Sequence, residues 1–262
     1  MRKKRLTGIP AIVLAGGRTS PEFAAAAGVE PVEGARALAE IDGIPMIEHV
    51  VRALLDATRV NRIVLVAPAH FPSIYGVDLQ IESGDGIVES LQRGMSHCQG
   101  SVFALVVTGD VPFLTGDAID DYISRCSELE LDCGYSTVSQ ESCEAQFPGM
   151  RRTYLKTPNG QFSGGNVVYQ RVDAFADQAA FLREAYRRRK NPLFLAKMIG
   201  FSGILRFLTG QLTLSDVGAA ASRLTGVRCR MVVTPYACIG TDVDRPEDLA
   251  MARETLRRSR AA

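Results

Sequence analysis

Residues 11–23 read AIVLAGGRTSPEF: five small or apolar residues end at two glycines, and a charge, two hydroxyls and a proline follow. A short, β-branched apolar run bounded by glycine reads as a buried strand. The glycine pair behind it reads either as a tight turn or as backbone that a ligand approaches closely, because only a residue without Cβ leaves room there. Runs of the same type recur on both sides of it, at 9–15 taken whole (IPAIVLA), 62–67, 77–81, 102–108, 133–138 and 229–234. Segments with helical periodicity separate most of them, at 45–57, 86–97 and 115–128. This alternation predicts an α/β fold, a Rossmann-like three-layer α/β/α sandwich with a mostly parallel sheet. Asn159-Gly160 between two strand-like runs predicts a β-hairpin over 152–169. A helical segment over about 171–226 follows the hairpin, and Pro246 opens a final helix. The chain 1–262 reads as a single domain carrying that helical segment as an insertion.

Composition narrows the function. With 46% hydrophobic residues in 262, the chain can bury a full core, and its net charge of +1 provides no global field toward nucleic acid or an anionic membrane. The basic runs YRRRK (186–190) and RRSR (257–260) read as solvated helix faces. Six cysteines without a CxxC spacing argue against a zinc site and suit the reduced thiols of a cytoplasmic protein. The basic start MRKKRLTGIP precedes too short an apolar run for a signal peptide, and no apolar stretch reaches membrane-spanning length, so a soluble, unprocessed protein is expected.

In an open parallel sheet, ligands bind beyond the carboxyl ends of the strands, which places Leu14, Ala15, Gly16, Gly17 and Arg18 at a candidate nucleotide or phosphate cradle. The spacing is not GxGxxG and no GxxxxGK[ST] occurs, which excludes the dinucleotide fingerprint and the P-loop. TGDVPFLT (108–115) sets Asp110 at the end of a very apolar strand, where a carboxylate needs a cation; Asp110 is a metal-ligand candidate, and Thr115 is the better helix cap. GTDVDRPEDLAMA (240–252) supplies Asp242 as a second carboxylate, with Asp244 as its substitute or as a helix cap. In SGDGIVESLQRG (83–94), Ser83 or Asp85 either caps a helix or, with Gly84, meets a ligand. Arg151 and Arg152, read as neighbours on a strand, point to opposite faces, so that one of them meets an acceptor phosphate. Gly164-Gly165-Asn166 reads as an acceptor-side lining or a strand bulge. His49, His70 and His97 lie far apart and read as packing or surface residues. The apolar stretch 191–208 reads as a buried helical pair, a hydrophobic acceptor pocket or a membrane-surface contact.

Taken together, AIVLAGG, the segment RALAEIDGIPMIEHVVRALL (36–55), Gly109-Asp110-Val111-Pro112 and DVDRPEDL (242–249) resemble the MobA-like nucleotidyltransferases: molybdenum-cofactor guanylyltransferase, the sugar-phosphate nucleotidyltransferases and methylerythritol-phosphate cytidylyltransferase. The resemblance implies a glycosyltransferase-A-like fold. It implies that the glycine loop, Gly109 and the Ser83–Asp85 turn hold an NTP, and that Arg36 neutralises the triphosphate. It further implies that Asp110 and Asp242 hold Mg²⁺, and that Arg151, Arg152, Gly164, Gly165 and Asn166 line the acceptor side. An NMP would then pass from the NTP to a small, phosphorylated acceptor with release of pyrophosphate, with Arg36 and Asp110 as the catalytic residues. The sequence departs from the family pattern in carrying Arg36 where lysine is usual, and in a longer, alanine-rich loop between Gly17 and Arg36. A sugar transferase on the same fold, for which Asp242-x-Asp244 suits a DxD motif, and a non-catalytic nucleotide-binding protein are the alternatives.

Overall fold

The computed structural model describes residues 8–188 and 200–261. The strands, in chain order, are β1 (Ile9–Leu14), β2 (Glu40–Ile41), β3 (Ile44–Pro45), β4 (Val60–Ala67), β5 (Leu79–Glu82), β6 (Phe103–Thr108), β7 (Cys133–Ser139), β8 (Leu155–Thr157), β9 (Gly160–Arg171) and β10 (Cys229–Thr234). The main sheet runs β10-β7-β9-β6-β1-β4-β5, with β8 paired to β9, and β2 and β3 form a small separate hairpin. The pairings β1–β4, β1–β6, β4–β5 and β7–β10 are parallel, and β9 lies antiparallel between β6 and β7. The fold is the mostly parallel, Rossmann-like sandwich that the alternation predicts.

Period-two alternation explains the three layers. Ala11, Val13, Ile63, Leu65, Leu105 and Val107 face one core, which the helices Met46–Asp56 and Gly116–Glu128 cover. Ile12, Val64, Val66, Ala104 and Val106 face the other, closed by Ile87–Ser96 and Val172–Arg187 through Met95, Phe175 and Ala179. Strands buried on both faces have no polar side to display, which is why they read as continuous apolar runs.

The hairpin reading holds: Leu155 pairs with Phe162 and Thr157 with Gly160 around Asn159. Beyond it, described helices span Val172–Arg187, Phe201–Leu208 and Leu214–Thr225. Residues 191–199, half of the stretch 191–208 read as a buried helical pair, an acceptor pocket or a membrane contact, lie outside the described residues; in the other half Leu205, Phe207 and Leu208 are exposed, so the helix Phe201–Leu208 is not the buried one expected. Among the described residues no helix is long and apolar enough to cross a membrane. Two helices went unmarked by periodicity, Pro21–Ala27 and Gln140–Gln146, each of seven residues. Two turns are too few to display a period, and capping side chains of Ser20 and Ser139 mark them instead.

Candidate active site

At the carboxyl end of β1 the chain leaves the sheet through Ala15, whose N–H donates to the Val66 carbonyl at 2.9 Å. The next two N–H groups, of Gly16 and Gly17, donate to no described residue. The long insertion then closes on itself. Ser20 caps the helix Pro21–Ala27, and Phe23 anchors that helix in the core. The chain returns at Gly34, whose N–H donates to the Gly17 carbonyl at 2.9 Å. Gly34 has a φ of +79°, and a Cβ there would lie 2.9 Å from the Ala15 carbonyl oxygen, so both conformation and space require glycine. Two residues on, the Arg36 N–H donates to Thr19 Oγ1 at 2.9 Å. These two ties bring Arg36 back to the glycine loop whatever the length of chain between. A Cβ on Gly17 would sit 3.1 Å from Arg36 Nη2, and one on Gly16 would sit 3.0 Å from Ser83 Cβ.

The cleft so formed is lined by Leu14, Ala15, Gly17, Gly34, Arg36, Ala37, Gly109 and Asp110. Arg36 Nη2 pairs with Asp110 Oδ2 at 2.8 Å, and Arg36 Nη1 pairs with Asp244. The Asp110 carboxylate is buried, and its other oxygen, Oδ1, has no hydrogen-bond partner. Burial therefore pushes its pKa above the usual aspartate range, an effect that Arg36 opposes and the nearby charge of Asp244 reinforces. The cation this position calls for is present in the chain itself as Arg36.

The segment after β10 is held against the same point by a backbone bond, Val243 N–H to the Asp110 carbonyl at 2.9 Å. Asp242 and Asp244 flank that bond. Asp242 is pushed up to about 6, first by burial and then by the charges of Asp244 and Asp110. Asp244 is not a helix cap: its carboxylate goes to Arg36, and Asp248 instead receives the Arg245 N–H at 3.1 Å. Thr115 does cap the helix Gly116–Glu128, which leaves Asp110 free of that duty. As the side chains stand, no three His, Cys, Asp or Glu groups among the described residues are arranged to hold a metal ion, and Arg36 pairs with both Asp110 and Asp244.

Arg151 and Arg152 precede β8 in irregular backbone and not on a strand, so strand alternation is not what separates them. They differ nonetheless: Arg151 is exposed, while the Arg152 side chain is 5% exposed and reaches Asp242 Oδ1 at 3.5 Å, with its Nε lacking any partner. Gly164 and Gly165 sit at a bulge where the β7–β9 register shifts between Tyr135 and Thr137. The Ser136 hydroxyl fills the gap and accepts the Val167 N–H at 3.2 Å. A Cβ on Gly164 would meet the Tyr135 ring at 3.0 Å, and one on Gly165 would run into Ser136 Oγ. Tyr135 lies close enough to Asp242 for that charge, after burial, to raise its phenol. Asn166, half-buried in the same bulge, makes no side-chain bond to a described residue.

The 83–94 turn is organised differently from the expectation. Neither Ser83 nor Asp85 caps the helix Ile87–Ser96, whose first flanking residue is Gly86 with a φ of +106°. Instead the helix reaches back: Ser90 Oγ accepts the Gly84 N–H and Glu89 Oε2 accepts the Asp85 N–H, both at 3.0 Å. Those two N–H groups are thereby occupied, and Ser83 is the member of this turn that abuts the glycine loop. His49 and His70 contact backbone carbonyls of Ile41 and Glu33, and no histidine lines the cleft. Thr19, Gly34 and Tyr135 belong to the site but not to the sequence reading. The sequence carries no local signal for Thr19 or Tyr135, and for Gly34 only the presence of a glycine two residues before Arg36.

The mostly parallel sheet thus brings two glycines, a buried aspartate and a returning arginine to one carboxyl edge. The chain belongs to the MobA-like NTP transferase family, whose domain model matches residues 11–224 and so ends short of Asp242. It is 35% identical to a hypothetical transferase from Thermus thermophilus, with a TM-score of 0.82 over 93% of this chain and 100% of that one. At 14% identity it superposes on CMP:2-keto-3-deoxy-manno-octonic acid synthetase complexed with CTP, with a TM-score of 0.56 over 97% of this chain and 99% of that one. At 18% it superposes on a nucleotidyl transferase from Methanothermobacter, with a TM-score of 0.57 over 96% and 99%; these distant likenesses concern the fold. A search of curated proteins finds no match.

Proposed function

We propose that this protein transfers a nucleotidyl group from an NTP to a phosphorylated small molecule and releases pyrophosphate. The observation that carries the reading is Arg36, drawn back over a long insertion to lie against Gly17 and to bridge Asp110 and Asp244. A guanidinium with its donors already in the cleft is suited to triphosphate oxygens, and the unbonded N–H groups of Gly16 and Gly17 offer further donors at the same loop. Binding the triphosphate would take Arg36 from its carboxylates, leaving Asp110 and Asp242 exposed to one another.

That pair fits a divalent cation. Asp110 presents a buried oxygen without a partner, Asp242 is raised by neighbouring negative charge, and Mg²⁺ asks for only one or two carboxylates beside phosphate oxygens. Bound there, Mg²⁺ would offset charge on the departing pyrophosphate. The acceptor phosphate oxygen attacks the α-phosphorus, the bond from that phosphorus to the β-bridging oxygen breaks, and pyrophosphate leaves. No proton has to be removed from an anionic oxygen, in keeping with a cleft lined by no histidine. Positioning and charge neutralisation then account for the rate. Arg152, buried and held by a single 3.5 Å contact, is the side chain best placed to take the acceptor's phosphate on the other side of Asp242.

The test is pyrophosphate release from each of four NTPs in the presence of phosphorylated sugars and polyols, with Mg²⁺ and with EDTA, beside a thermal-shift panel that includes nucleotide sugars. A ligand at 100 times its Kd adds about 2.7 kcal/mol to stability, well within detection. Stabilisation by a nucleotide sugar without pyrophosphate release from any NTP would replace the reading with sugar transfer. Binding without turnover across acceptors would make the protein a nucleotide binder.

A further inference from the structure

The far end of the sheet holds a second constellation. Cys133 opens β7, Cys229 opens β10, and the parallel register places the two residues directly beside each other. Residues paired in register project to the same face, and neighbouring strands lie about 4.8 Å apart, inside the Cα separation of about 4.4–6.8 Å that a disulfide spans. Gly134 points to the opposite face, where a Cβ would meet Cys126 Sγ at 2.6 Å, so the third cysteine of this region lies across the sheet from the pair.

The surroundings treat the pair differently from the other thiols. Cys229 is buried, Cys133 is half-buried, and Thr225 Oγ1 lies 3.3 Å from Cys229 Sγ. The Cys229 backbone is held by Ser222, whose Oγ accepts its N–H at 2.9 Å and has the Gly218 and Cys229 carbonyls, at 2.9 and 3.0 Å, as alternative acceptors for its one proton. Hydrogen bonding from Cys133 first, then from Thr225, lowers the Cys229 thiol, and the same Cys133–Cys229 contact raises Cys133, whereas burial pushes Cys98 up to about 11 and Cys126 up to about 12. Cys143 and Cys238 are also raised by burial. Of the six thiols, one has both a lowered pKa and a second thiol in register with it.

We propose that Cys133 and Cys229 form a dithiol that hydrogen peroxide oxidises to a disulfide, a modification site remote from the nucleotide cleft. The Cys229 thiolate attacks one peroxide oxygen, the O–O bond breaks, and the departing hydroxide takes a proton to leave as water. The Cys229 sulfenic acid then condenses with Cys133, whose sulfur displaces the hydroxyl and whose proton completes a second water. Two thiols and one peroxide thus give one disulfide and two waters, with two electrons passing from sulfur to oxygen. Cys133 is the more exposed of the two thiols, and hydrogen peroxide is a small oxidant. The bond would tie edge strand β10, which leads through Ala237–Gly240 into Asp242, to its neighbour β7.

The experiment treats the wild-type protein with one to a few equivalents of hydrogen peroxide, alkylates it, and maps its peptides without reduction. The expected result is a loss of about 2 Da, a linked Cys133–Cys229 peptide, and reversal by dithiothreitol. Cys133→Ser should instead accumulate a Cys229 sulfenic acid trapped by dimedone. Mass gain without the linked peptide, a link through any other cysteine, or equal oxidation of all six thiols would overturn the proposal. Because the wild type carries the decisive measurement, a misfolded variant would not obscure it.

Discussion

Replacing Arg36 with methionine keeps an unbranched apolar stem, removes the guanidinium and its charge, and leaves Asp110 and Asp244 without the cation they share. The Arg36–Asp110 contact is 2.8 Å, with the side chains 25% and 11% exposed, so the gross attraction at an effective dielectric of about 20 is about 6 kcal/mol. Desolvation of both groups takes back a large part, and a stranded carboxylate can escape the rest by binding a proton. The net loss is therefore expected to be about 2–4 kcal/mol at pH 8. Asp110 already has a folded pKa above its ordinary value through burial, and loss of Arg36 raises it further. A raised acid favours the folded state at low pH and loses that contribution as pH rises through its folded pKa, so the Arg36→Met penalty should be small at pH 5 and grow toward pH 8. Urea denaturation of the wild type, Arg36→Met, Asp110→Asn and the double variant at both pH values measures this. In the double variant most of the penalty at pH 8 should vanish, because Asp110 no longer strands a charge. An equal penalty at both pH values, undiminished by Asp110→Asn, would refute the reasoning and make Arg36 a packing residue.

In EDTA, the wild type should lose stability as pH rises through about 6, where folded Asp242 ionises after its unfolded counterpart has done so. Thermal melts from pH 5 to 8 should show this, Asp242→Asn should flatten the profile, and Mg²⁺ should raise the melting temperature more at pH 8 than at pH 5. Gly17→Val would push on Arg36, whose Nη2 lies 3.1 Å from the Cβ position, and should lower NTP affinity at least tenfold by calorimetry without unfolding the protein. Arg152→Met should leave NTP affinity within twofold and lower turnover with a phosphorylated acceptor on the order of 100-fold, as expected for loss of a charged contact; parallel loss of NTP binding would show that Arg152 serves the donor. Gly165→Ala should cost about 1–3 kcal/mol of stability in chemical denaturation, since its Cβ would displace Ser136 Oγ from the bulge.

Patterning along the chain is enough to set the layers and the edge at which chemistry can occur. Ala11, Val13, Ile12 and their counterparts in β4 and β6 alternate between two cores, and a run buried on both faces has no other stable place than the middle of a covered sheet. Once β1 is central and parallel, its carboxyl end is the open edge, and Gly16, Gly17 and Asp110 must gather there. What the chain order could not decide was which charges meet. Arg36 lies 74 positions before Asp110, and Asp244 lies 208 beyond Arg36. Their meeting depends on the Gly34–Gly17 and Val243–Asp110 backbone bonds, which exist only in the folded chain. For the same reason Arg152 rather than Arg151 is buried, Ser90 and Glu89 rather than Ser83 and Asp85 satisfy the 83–86 turn, and Cys133 faces Cys229. Local patterning encodes which way a residue points relative to its own element, through a periodicity a few residues long. Pairing between elements is set by register, by loop closure and by competition for each charge, and these are properties of the packed whole.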